Sequence, residues 1–109
     1  MNNFSVSKVV ENSIEFDKSI KEWRIKGQQD TYSYCNIADV VASVEDVDLD
    51  NGSVNKKYRL KVKVLFKDGN YKYIDISNKP VRNGTTSYHD DRHTQERVIA
   101  LFKTIMKNA

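Results

Sequence analysis

The chain has 109 residues, 39% of them apolar and 30% charged, with 18 Lys and Arg against 15 Asp and Glu for a formal charge of +3. That is one domain's worth of chain with enough apolar material for one core, which excludes a disordered tail, and its charge falls short of a dedicated nucleic-acid arm. The single cysteine, Cys35, excludes an intrachain disulfide and a four-cysteine metal site.

From the start, Phe4, Val6, Val9 and Val10 stand among polar residues and predict a short strand within residues 4–10. Ile14 and Phe16 alternate with Glu15 and Asp17, and Trp23 and Ile25 with Arg24 and Lys26. Residues 13–17 and 21–26 are therefore expected to form a hairpin. Tyr32 to Cys35 reads as a further strand, Asn36-Ile37-Ala38-Asp39 as a turn, and the β-branched run Val40–Val47 as a strand. Leu49-Asp50-Asn51-Gly52-Ser53 reads as a turn.

Tyr58, Leu60, Val62 and Val64 then alternate with Arg59, Lys61 and Lys63 towards Phe66, and a second strand follows over Tyr71–Ser77. A two-residue Asp68-Gly69 turn would set Val62 opposite Asp75. A three-residue loop, Lys67-Asp68-Gly69, instead pairs Leu60 with Ile76 and Val62 with Ile74 on one face, and Lys61 with Asp75 and Lys63 with Tyr73 on the other. A one-residue slip turns every side chain over, so the apolar pattern selects the bulged register. Pro80 stops the strand. From Tyr88 the period becomes 3.6: Val98, Leu101, Phe102 and Ile105 form the apolar stripe of a helix over roughly 88–107, with Ser87 as its cap and Asp90 three positions on. The expected fold class is α+β, five to seven antiparallel strands with one C-terminal helix in a single domain, 1–109.

Between Gly27 and Asn55 stand six acids (Asp30, Asp39, Glu45, Asp46, Asp48, Asp50) and no base, and between Lys56 and Lys72 seven bases with one acid, Asp68. One reading is a basic face of Arg59, Lys61, Lys63, Lys67, Lys72 and Tyr73, interleaved with Tyr58 and Tyr71, that meets a partner or nucleic-acid phosphates. The plainer one is that the acidic and basic strands pair across the ladder. His89 and His93 share a helix face with Glu96, the spacing of a helical metal site. Asp90, however, stands where a zinc protease carries its general base, and Arg92 would repel a cation. A solvated first helical turn accounts for the same residues. Cys35 is expected as a buried or half-buried structural thiol, and Trp23 as a core anchor. No serine–histidine–acid set and no phosphate-cradling glycine pattern is present, so a non-catalytic chain without cofactor is expected.

The run Ile14-Glu15-Phe16-Asp17, Trp23-Arg24-Ile25, Tyr32-Ser33-Tyr34 and Ile37-Ala38-Asp39-Val40-Val41-Ala42-Ser43-Val44-Glu45, with the strand–Pro–helix stretch from Ile74 to Ile105, resembles bacterial pleckstrin-homology-like (PH-like) domains over about residues 12–107. The resemblance implies a bent sheet or small barrel closed at one end by the helix; such domains bind proteins, peptides, phosphoinositides or nothing known, so the fold does not settle function. No inositol-phosphate motif carries over. The functional expectation is a protein-binding module, acting as a small inhibitor or adaptor, with nucleic-acid binding and helix-borne metal binding as alternatives and a homodimer through edge strands as a further arrangement. The start, Met1-Asn2-Asn3-Phe4, carries no charged and apolar leader pattern and no apolar run spans a bilayer. The cytoplasm is the expected location, without membrane insertion.

Overall fold

The computed structural model describes residues 4–11, 13–47 and 57–109. The expected turn at Leu49–Ser53, together with Asp48, Asp50 and Lys56, lies outside the described residues. Among the described residues eight strands and one α-helix follow in order: β1 (Lys8–Val10), β2 (Ile14–Asp17), β3 (Glu22–Ile25), β4 (Tyr32–Ser33), β5 (Ile37–Asp46), β6 (Lys57–Phe66), β7 (Tyr71–Asp75), β8 (Val81–Arg82) and α1 (Thr86–Lys107). The fold is α+β, with the helix C-terminal as expected.

The strands form two antiparallel sheets. The first is the meander β1-β2-β3-β4, and the second is β5-β6-β7 with β8 paired to the start of β6. The two sheets remain open, so the barrel alternative is not realised. Both sheets contribute to one core. Ile14, Phe16 and Trp23 from the first, Val40, Val62, Val64 and Ile74 from the second, and Val98 and Phe102 from α1 are all essentially sealed from solvent. The Phe102 ring ties the layers together, lying 5.7 Å from Phe16 and, edge-on, 5.0 Å from Trp23. Trp23 is thus the core anchor its pattern implied.

The β6–β7 hairpin adopts the bulged register, with Val62 opposite Ile74, Lys61 opposite Asp75 and Lys63 opposite Tyr73. Phe66 and Asn70 close a three-residue loop in which Gly69 takes φ +92°. The ladder stops one pair short of Leu60–Ile76: the amides of Ile76 and Ser77 both donate to the Leu60 carbonyl, and the Leu60 amide donates to Ser77 Oγ at 3.0 Å. β7 therefore ends at Asp75, five residues ahead of Pro80, because the Ser77 hydroxyl takes over the ladder's role.

Three local expectations are corrected. Tyr34–Asn36 forms a single 3₁₀ turn, and Ile37 already begins β5, with a bulge between Ile37 and Asp39. Tyr34 is turned inward and Cys35 outward, so the thiol is exposed. The helix cap is Thr85, whose Oγ1 accepts from the Tyr88 amide at 3.2 Å and donates to the Arg82 carbonyl at 2.7 Å. Helix α1 consequently starts before Ser87, which Gly84 makes room for by taking φ +83°. The inward stripe of α1 also contains a polar residue. Gln95, 1% exposed, donates through Nε2 to the Ser43 carbonyl at 3.1 Å and the Lys61 carbonyl at 2.8 Å, fastening the helix to the paired strands β5 and β6.

Candidate interaction surface

Register sorts the second sheet into rows that cross three strands. On one face Val40–Val64–Lys72 and Ala42–Val62–Ile74 lie side by side. On the other lie Asp39–Leu65–Tyr71, Val41–Lys63–Tyr73 and Ser43–Lys61–Asp75, with Glu45–Arg59 beyond them. The first face carries the buried residues Val40, Val62, Val64 and Ile74, so the second is the outer one.

Arg59, Lys61, Lys63 and Tyr73 of the sequence-predicted set therefore share the outer face. Lys72 does not. It stands opposite Val64, on the core side, because it is an odd number of residues from Tyr73 and alternate side chains turn to opposite faces. Lys67 sits in the hairpin loop, where its amide donates to the Asn36 carbonyl at 2.8 Å. Tyr58, expected to interleave with the bases, has the parity of Leu60 and meets the ring of Tyr88 on α1 at 6.3 Å.

The acidic and basic strands do pair across the ladder. Lys61 Nζ lies 2.8 Å from Glu45 Oε2 on the neighbouring strand and 3.6 Å from Asp75 Oδ1 on the other. The hydrogen bond from Lys61 holds the Glu45 carboxyl below its ordinary range, and the same bond raises the Lys61 ammonium above its own. Lys61 thus stays charged and is held between two carboxylates. Its ammonium also lies 5.6 Å from the centre of the Tyr73 ring, while that of Lys63 lies 4.4 Å from the centre of the Tyr71 ring and 5.8 Å from that of Tyr73. The two tyrosine rings meet edge-to-face at 5.4 Å and are 55% and 42% exposed, beside Val41 at 36%. Val41 was missed in the sequence. Its place opposite Lys63 depends on the β5–β6 register, and the hairpin's length alone does not fix it.

His89, His93 and Glu96 line one shallow depression with Asn83, Tyr88 and Arg92, and all three are exposed. Arg92 reaches towards the Glu96 carboxylate at 3.9 Å. Among the described residues no group of three or more His, Cys, Asp and Glu side chains is arranged to hold a metal ion. Cys35 has Ser33 Oγ at 3.1 Å as its polar neighbour.

A second concave feature lies at the C-terminal turns of α1. A groove of about 390 Å³ is lined by Phe16, Tyr34, Leu101 and Ile105 along its floor and by Lys8, Lys18 and Lys21 among its rim residues. Beside it Asp17, 2% exposed, accepts from Ser19 Oγ at 2.6 Å and from the amides of Ser5 and Ser19 at 2.8 and 3.0 Å. These bonds, the Ser19 hydroxyl foremost, hold its carboxyl below the ordinary range. Burial, and secondarily the Asp17 charge, push the Tyr34 phenol upward.

Comparison with protein-family models, curated proteins and solved structures finds no match for this chain. No helix among the described residues is long and apolar enough to cross a membrane.

Proposed function

We propose that the chain is a non-catalytic module that binds a protein partner through the outer face of its second sheet, as an inhibitor or adaptor would. The observation that carries this is the row Val41–Lys63–Tyr73 with Tyr71 beside it: exposed aromatic and aliphatic surface with a cation held against the rings. Tyrosine supplies large, stiff, amphipathic contact area and is enriched where proteins meet. An array of strands followed by one C-terminal helix supports the PH-like reading, and a lone thiol accords with a cytoplasmic setting.

Nucleic-acid binding draws on the same face and is less well supported. Phosphate tracking needs uncommitted cations, and Lys61 is held by two carboxylates while Lys72 lies on the other side. The test is capture from host lysate with and without nuclease, using wild-type protein and the double variant Tyr71→Ala/Tyr73→Ala. A partner protein retained after nuclease and lost with the double variant supports the assignment. Recovery of nucleic acid, with affinity falling steeply as salt rises, overturns it.

A further inference from the structure

We propose that the groove between the last turns of α1 and the first sheet is a docking site for a partner segment carrying one bulky apolar side chain flanked by carboxylates. The inference rests on the protein-binding reading but uses a different surface. Its floor is apolar: Phe16 and Tyr34 are buried beneath it, and Leu101 and Ile105 are half-buried along its helical wall. The volume of about 390 Å³ exceeds the roughly 150 Å³ that encloses a benzene ring in an apolar cavity. One large side chain therefore enters with room for the backbone on either side of it.

The rim supplies the charge. Lys8, Lys18 and Lys21 come from β1 and from the turn between β2 and β3, and all three are exposed. Among the described residues no carboxylate lies within ion-pair distance of any of them, although other lysines and arginines of this chain are paired. The nearest buried acid, Asp17, is already engaged by Ser5 and Ser19. Three cations around one apolar floor, contributed by two separate segments, match a ligand with several anionic groups spread about an apolar centre. A single carboxylate on an acyl chain would engage fewer of them. An acidic peptide segment with an apolar anchor satisfies both the floor and the rim.

The experiment is panning of phage-displayed random linear peptides on the wild-type chain, followed by fluorescence anisotropy with the best labelled peptide. Enriched peptides are expected to share an aliphatic or aromatic residue with Asp or Glu on both sides. Binding is expected to weaken by about tenfold in Lys18→Glu/Lys21→Glu, through lost attraction at the rim. The same loss is expected in Thr104→Trp, which fills the groove from an exposed helix position, while Tyr71→Ala/Tyr73→Ala leaves binding unchanged. Failure to enrich any peptide, or enrichment of peptides without acids, overturns the proposal. Binding lost only in the tyrosine variant also overturns it, while leaving the sheet-face assignment standing. Dodecanoate that shifts the Leu101 and Ile105 methyl resonances, with no acidic peptide binding, assigns the groove to a lipid-type anion and overturns the proposal as well.

Discussion

Replacing Gln95 with Met tests how the helix is held to the sheet. The two side chains are close in length and volume, so no cavity opens and the loss is that of the amide alone. Gln95 Nε2 donates to the carbonyls of Ser43 and Lys61 at 3.1 and 2.8 Å, and the side chain is buried. Each bond contributes about 0.5–1.5 kcal/mol net, so Gln95→Met should cost about 2 kcal/mol. For a domain of this size that lowers the thermal midpoint by roughly 10 °C. Urea unfolding followed by circular dichroism should show a lower midpoint with an unchanged slope. Gln95→Glu should cost more at neutral pH, because a carboxylate facing two carbonyl oxygens cannot donate, and should recover in part when acid protonates it. A loss below about 0.5 kcal/mol for Gln95→Met would refute the inference that this amide fastens α1 to β5 and β6.

Three further outcomes follow from named features. Gly69→Ala should destabilise by about 1–2 kcal/mol through its positive φ alone, since a β-carbon there meets nothing within 4 Å; chemical denaturation measures it. Asp17 and Glu45 have depressed carboxyl pKa values in the folded chain, so they contribute stability that is full above the ordinary carboxylate range and lost as pH falls through the depressed values. The thermal midpoint should fall below about pH 4, and Asp17→Asn/Glu45→Gln should flatten that fall. Cys35 should react to completion with a thiol reagent on the folded protein; a requirement for denaturant would contradict its outward orientation on the 3₁₀ turn.

Alternation made the β6–β7 register legible, because only the three-residue loop sets Val62 against Ile74 instead of Asp75. The helix was legible from Val98, Leu101, Phe102 and Ile105, but its cap was not. Both Thr85 and Ser87 carry the hydroxyl a cap requires, and the choice rests on where the Gly84 turn delivers the chain. Gln95 was invisible because a glutamine on a helix resembles a solvated residue until two strand carbonyls are placed beneath it. The basic cluster misled in one respect. Counting bases along β6 and β7 put Lys72 with Lys61 and Lys63, whereas the two-residue period puts it with Val64. The groove was hidden for a different reason: Lys8, Lys18 and Lys21 gather around Leu101 and Ile105 only when α1 returns to the first sheet.

Contact of a partner protein with the outer face of the second sheet can be trapped covalently. The most direct measurement places a benzophenone-bearing amino acid at position 73, and for comparison at the exposed helix position 103, and irradiates cells of the host. A protein adduct formed from position 73, resistant to nuclease and absent from position 103, is the expected result. An adduct that nuclease removes, or a protein adduct from position 103 with none from position 73, would contradict such contact.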